Sequence, residues 1–275
     1  MTEAVSDFFV WLYDSTVGAL IRLITSLVEW VMSNRVEIDD QIILYTCLVM
    51  LTINVVLYIA QRMSRRRSIW KALPLNRQMT LVHEGGHMLA AFSVLSKVKG
   101  IAVNRDGSGH TVSLSRGGLL RKLWTAFWGY PAPVVTGSLM LWMIHFGWVT
   151  VANVFVVASV AIYLLLARSL YAVTTTVVLG LLTVAIPMTI SHYGFTDIWK
   201  ATAVILTAYS WILISSGLVK FSQMFGIHIR NRPDEVQSSD AYTMAKDTGI
   251  PGLIWISLMF VVAVGIGLSP ILIGR

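Results

Sequence analysis

The sequence predicts an all-α polytopic membrane bundle of about six to seven hydrophobic helices, with a small β-hairpin after the helix that carries His83 and His87. Three observations predict it. Of 275 residues, 56% are apolar and only 13% charged, about half the charged share of a soluble domain; mean hydropathy is +0.71. Long uncharged stretches recur along the chain. Two short segments of alternating polarity flank Asp106-Gly107. This composition excludes a disordered chain, a basic nucleic-acid-binding domain and an ordinary soluble enzyme. The net charge of +7 arises from 21 Lys and Arg gathered into a few loops, which suits topology signals and anionic lipid rather than nucleic acid. The one cysteine, Cys47, can form no internal disulfide.

The elements follow in order. Residues 1–35 put Asp7, Asp14, Arg22, Thr25 and Glu29 on one helical stripe and cover the rest with Phe8, Phe9, Trp11, Leu20, Leu23, Ile24, Leu27 and Trp30. This reads as an amphipathic interfacial helix, a surface anchor or a regulatory partner helix. A cleaved signal peptide fits poorly, because no Lys or Arg precedes Arg22. Residues 36–77 hold the first span, Gln41 to Gln61, whose 21 uncharged residues suffice to cross a core about 30 Å thick. A basic loop follows. The more polar segment from Gln78 to Ser96 carries the motif described below. Leu123 to Ala167 is uncharged for 45 residues and is expected to split near Phe146-Gly147-Trp148. Further spans are expected over Ser169 to Thr196, ending near Pro187, over Ala201 to Val219, and over Thr248 to Gly274.

Orientation is partly readable. Lys97, Lys99, Arg105, Arg116, Arg121, Lys122, Arg168, Lys220, Arg230, Arg232 and Lys246 share one side if every later span crosses, which makes that side cytoplasmic. Arg62, Arg65, Arg66, Arg67, Lys71 and Arg77 conflict with this if the Gln78–Ser96 helix also crosses fully.

That helix contains His83-Glu84-Gly85-Gly86-His87, an H-E-x-x-H motif. His83 and His87 lie one turn apart on one helix face, the separation at which two imidazoles share a tetrahedral zinc. Glu84 sits beside them, placed to take a proton from a water at the metal. A carboxylate and two histidines in an apolar helix are costly and mark function. Gly85 and Gly86 each cost about 1 kcal/mol of helix propensity, so another backbone or a substrate must approach there. Catalytic zinc needs a third protein ligand. His145 and His192 stand near span ends. His228, Asp234, Glu235, Asp240 and Asp247 cluster between the last two spans. Asp240, in Ser238-Ser239-Asp240-Ala241, is either a ligand or a helix N-cap.

Val98 to Arg105 and His110 to Ser115 alternate about Asp106-Gly107, a hairpin signal. The hairpin is either a plain loop or an open edge that holds an extended peptide by main-chain hydrogen bonds. Extension matters because a peptide carbonyl within a helix is already bonded. His110 is a weaker site candidate, read as a strand residue.

Taken together, the HEGGH helix, the Asp106-Gly107-Ser108-Gly109-His110-Thr111 hairpin, the Gly129-Tyr130-Pro131-Ala132-Pro133 opening of a span and Ser239-Asp240-Ala241 resemble the site-2 protease class of intramembrane zinc metallopeptidases. They most resemble its small bacterial M50B-like branch, over roughly residues 78 to 255. The resemblance implies an intramembrane metallopeptidase core over 78–275, with one Zn2+ held by His83, His87 and Asp240 and Glu84 as general base. It implies hydrolysis of a peptide bond in membrane-spanning protein substrates, either regulators or remnant signal segments. It also implies a multi-pass protein of the bacterial cytoplasmic membrane. The better-known members carry a Leu-Asp-Gly segment, which is absent here, and Asn231 and Pro233 are not equated with their Asn and Pro. No PDZ-sized insertion separates the two halves of the motif set. The rival reading is a non-proteolytic membrane subunit or regulatory helix-binding protein that retains a zinc site. A transporter ranks last, since no internal repeat is visible.

Overall fold

The computed structural model describes residues 35–36, 38–63, 74–114, 117–194, 196–230, 236–237 and 239–273, together with residues 19, 25, 26 and 29. The interfacial helix expected over 1–35 therefore lies almost wholly outside the described residues. So do Arg65, Arg66, Arg67 and Lys71, and Asn231, Arg232, Pro233, Asp234 and Glu235.

The described chain is a helical membrane bundle. In order it forms α1 (Asp40–Met63), α2 (Pro74–Ser93), β1 (Lys97–Val103), β2 (Gly109–Leu114), α3 (Leu119–Phe127), α4 (Pro131–His145), α5 (Val149–Leu166), α6 (Leu170–His192), α7 (Ile198–Ile229), α8 (Asp240–Thr248) and α9 (Gly252–Ile273). Among the described residues, α5, α6 and α7 are long and apolar enough to cross a membrane; α1 and α9 run for 24 and 22 residues.

Three boundaries differ from expectation, two of them for a local reason at proline. The stretch from Leu123 to His145 is not one span. It divides at Trp128-Gly129-Tyr130, because Pro131 and Pro133 lack the N–H groups that would carry a helix through and instead fit the first turn of α4. The preceding α3 is short and has no fully buried residue. The second split falls where expected, at Gly147, whose φ of 77° is open to glycine at little cost. The helix opened by Ser169 does not stop near Pro187: a π turn over Leu181–Ala185 contains Thr183, the carbonyl the proline ring would strike, and α6 continues to His192. Likewise α7 passes Lys220 and ends at Ile229. Its 32 residues rise about 48 Å, well beyond a hydrocarbon core of about 30 Å.

Close helix packing depends on small residues. A Cβ on Gly137 of α4 would lie 2.5 Å from the Ser210 carbonyl of α7, and one on Gly217 would lie 2.7 Å from Val134. Gly267 of α9 similarly faces Ser138. Lipid is as apolar as Leu, so burial of apolar side chains does little to drive helices together in a bilayer, and close backbone approach supplies dispersion contact instead. The outer faces remain apolar, with Leu165 and Leu170 78% and 73% exposed.

The hairpin is antiparallel, with Ile101 opposite Thr111 and Val103 opposite Gly109. Its turn is held by Gly107 at φ 81° and by Asn104 N–H donating to the Ser108 carbonyl. The outer edge of β1 is covered: Arg168 N–H donates to Ile101 O, and Ser169 Oγ donates to Val103 O while accepting from Val103 N–H. Among the described residues the outer edge of β2 pairs with no strand.

Gly137→Ala is expected to destabilise the bundle by about 1–3 kcal/mol, since the added methyl meets backbone rather than a movable side chain. Thermal unfolding in detergent reads this as a lowered midpoint. An unchanged midpoint would mean that α4 and α7 do not touch there.

Candidate metal centre

α2 starts at Pro74, whose missing N–H costs nothing in a first turn. Its Met79, Leu81, Val82, Met88, Ala90 and Ala91 are all buried, so it sits inside the bundle rather than on its surface. The two glycines are explained by what faces them. A Cβ on Gly85 would meet the Tyr163 hydroxyl of α5, and one on Gly86 would meet the Trp128 carbonyl and lie 2.5 Å from Ala132 Cβ. The helix gives up propensity at these positions so that α5 and the start of α4 can close on it.

His83 and His87 project to one side, where Asp240 meets them at the first residue of α8. The three donor atoms form a nearly equilateral triangle. His83 Nε2 and His87 Nε2 are 3.2 Å apart, and Asp240 Oδ2 is 3.3 Å from each. Four ligands placed tetrahedrally at about 2.05 Å from a zinc would be separated by about 3.3–3.4 Å. As direct charge-assisted hydrogen bonds the same contacts would be long, since such bonds run at about 2.7–2.9 Å. The donor set of two imidazoles and one carboxylate, with these separations, fits a zinc-sized ion. Burial by itself pushes the Asp240 carboxyl up, but the facing imidazoles of His87 and His83 outweigh it and hold the group below the ordinary carboxylate range. The carboxylate form of Asp240 is the one its surroundings favour.

The shell behind the triangle sets its orientation. His87 Nδ1 is 2.7 Å from the Thr125 carbonyl of α3. A carbonyl only accepts, so Nδ1 carries the proton and Nε2 keeps its lone pair for a metal. Tyr130 packs its ring edge-on to His83, with centroids 4.8 Å apart. Gly129 lies directly beneath both imidazoles; a Cβ there would come within 2.5 Å of His87 Nε2 and 2.8 Å of His83 Cε1. Glu84 is 4% exposed and receives a hydrogen bond from Thr111 Oγ1 at 2.8 Å. Gly109 also presses against it, since a Cβ there would be 2.7 Å from Glu84 Oε1. The turn of the hairpin is pinned to the same helix by Thr80 Oγ1, which donates to Gly107 O at 2.7 Å.

Of the residues singled out from sequence, His83, Glu84, His87 and Asp240 come together. Asp240 is not the N-cap of α8; Ser239 is, accepting from Tyr242 N–H. The other candidates lie elsewhere. His145 pairs with Asp40 at 3.4 Å, His192 and Asp247 are exposed at helix ends, and His110 is exposed on β2. His228 bonds to Ser239 rather than to the triangle. Thr111, Thr125 and Gly129 were missed. Thr125 acts only through its backbone carbonyl, which sequence does not reveal. The alternation of β2 could have marked Gly109 and Thr111 as sharing a face. A cavity of about 160 Å³ lies on the far side of α2, among Val82, Gly85, Gly86, Met140 and Tyr163, and none of the three ligand candidates lines it.

A family model described as Peptidase M50B-like matches residues 46–269. No curated protein and no solved structure matches the chain.

Gly129→Ala is expected to weaken zinc binding by on the order of tenfold or more, because the methyl would displace both imidazoles. Competition against a chromophoric chelator in detergent measures it. Wild-type affinity in this variant would remove Gly129 from the centre.

Proposed function

The chain belongs to the Peptidase M50B-like family, and on that premise we propose that it is an intramembrane zinc metallopeptidase hydrolysing a peptide bond in membrane-embedded protein substrates. The observation that carries the reading is the triangle of His83, His87 and Asp240 with the buried carboxylate of Glu84 beside it. A purely structural metal has no need of an adjacent base. One zinc, held by His83, His87 and Asp240, supplies Lewis acidity toward a water molecule and a carbonyl oxygen when bound.

The chain's own residues do the rest. Thr111 holds Glu84 in place by donating to one carboxylate oxygen, which leaves the other to accept a proton from the attacking water. The water oxygen bonds to the scissile carbon. Glu84 then delivers the proton to the peptide nitrogen as the C–N bond breaks, giving a carboxylic acid and an amine. His87 is kept in its Nε2-ligating tautomer by Thr125. The unpaired edge of β2, the strand that carries Thr111, supports the idea that an unwound substrate segment adds there as a strand. Ordering of this kind removes the carbonyl from its own helix before attack. The protein is proposed to act as a multi-pass protein of the bacterial cytoplasmic membrane. Its substrates are proposed to be membrane-spanning regulators in preference to remnant signal segments.

Metal analysis of the detergent-purified chain tests this first: about one zinc per chain is expected, retained by Glu84→Gln and lost by Asp240→Ala and His83→Ala. With single-span peptides reconstituted in vesicles, wild type is expected to cleave and Glu84→Gln and His83→Ala are not. Cleavage by Glu84→Gln would refute the assigned base. Zinc without cleavage in wild type would favour a non-proteolytic membrane subunit. Thr111→Val is expected to keep its metal and lose on the order of tenfold in kcat, the worth of one hydrogen bond to a charged group. A kcat equal to wild type would show that Thr111 does not position Glu84.

A further inference from the structure

Asp240 belongs to an exposed-to-buried junction that must be held still if a metal is to bind tightly. Its neighbour Ser239 is 3% exposed and has all three hydrogen-bonding positions filled. The Ser239 hydroxyl donates to Val236 O at 2.7 Å, the only role open to it toward a carbonyl. It accepts from Tyr242 N–H at 3.2 Å, which caps α8. The remaining lone pair faces His228 Nε2 at 3.1 Å. Because the serine proton is already committed, His228 must be the donor, and its Nε2 therefore carries hydrogen. The imidazole is itself wedged: a Cβ on Gly252 at the start of α9 would lie 2.6 Å from His228 Cε1 and 2.9 Å from Nδ1. One side chain thus joins the last turn of α7, the first residue of α9 and the cap of α8.

We infer that His228 is a positioning residue for the metal centre: through its Nε2–H bond to Ser239 it fixes the start of α8 and so the approach of Asp240 to His83 and His87. The inference rests on the reading of those three residues as metal ligands. It assigns His228 a second-layer role in place of direct ligation. Without the donor, Ser239 keeps its cap but loses its tie to α7, and the Asp240 carboxylate is no longer preset.

The test is zinc affinity of the full chain in detergent, by chelator competition, together with thermal unfolding of the zinc-free proteins. His228→Ala and His228→Phe are both expected to weaken zinc by on the order of tenfold; the phenylalanine keeps a ring against Gly252, so the loss is read even where alanine disturbs packing. His228→Gln, whose amide Nε2–H reaches to a similar distance, is expected to bind within a few-fold of wild type. Ser239→Ala, which removes the α8 cap as well as the tie to α7, is expected to lose at least as much as His228→Phe, and adding His228→Phe to it is expected to cost nothing further, because the tie is already gone. Zinc-free midpoints are expected to agree between His228→Phe and His228→Gln. Wild-type affinity in His228→Phe, a glutamine variant as weak as phenylalanine, or a loss explained by a lowered zinc-free midpoint would each overturn the inference. A wild type that binds no zinc would instead overturn the metal-centre reading and this inference with it.

Discussion

The arrangement depends on one constraint: two imidazoles and two carboxylates must be satisfied inside a bundle that offers them little water. A buried, unpaired charge costs several kcal/mol, so the surroundings have to be built around these groups. The neighbourhood shows it. Asp240 closes the triangle with His83 and His87 from the far end of the chain, Thr111 reaches Glu84 from the hairpin, and the Thr125 carbonyl of α3 accepts from His87 Nδ1–H. Each partner comes from a different element. The bundle therefore cannot form the centre until α2, the hairpin, α3 and α8 have all docked.

Glycine makes that docking possible. Gly85 and Gly86 admit Tyr163 and the Trp128 carbonyl to the back of α2; Gly109 and Gly129 admit the hairpin and the α3–α4 junction to its front. At every one of these positions an alanine methyl would strike a neighbour. Helix propensity is lost at Gly85 and Gly86, and contact around the polar groups is gained. The same logic recurs between α4, α7 and α9 at Gly137, Gly217 and Gly267, where association in lipid depends on close backbone approach.

Strand β2 reverses the habit of soluble sheets, although β1 beside it buries Ile101 and Val103. Val112 and Leu114 are exposed, while Gly109 and Thr111 face α2. In water an alternating strand would bury its valine and leucine against the core. Here the inward face must approach Glu84 closely and give it a hydrogen bond, which valine and leucine cannot do. In a membrane chain, outward apolar residues carry little penalty. Among the described residues the outer edge of β2 pairs with no strand; such an edge is an ordinary aggregation hazard, tolerable in a protein whose proposed substrate would add there as an extended strand.

What the sequence by itself determined is the set of local properties. The charge-free runs marked the membrane bundle and most of its helices, Asp106-Gly107 marked the hairpin, and the spacing of His83, Glu84 and His87 put two imidazoles on one helix face with a carboxylate beside them. These are legible because helical and strand periods place neighbours within a few residues of one another. Helix limits were less legible wherever a break depends on context: proline ends the preceding element before α4, yet is absorbed by a π turn inside α6. Only the tertiary structure decided which of the distant acidic and histidine residues completes the triangle. In the sequence Asp240 stood out from its loop neighbours, His228 among them, yet ligand and N-cap both stayed open for it on residue chemistry. Their roles separated because Ser239 caps α8 and turns the Asp240 carboxylate toward α2, while His228, on α7, reaches only the serine. Thr125 was invisible for the same reason, and Gly129, though part of the segment that opens α4, gave no sign of lying beneath the imidazoles: a backbone carbonyl and a missing methyl leave no chemical signature until another segment packs against them.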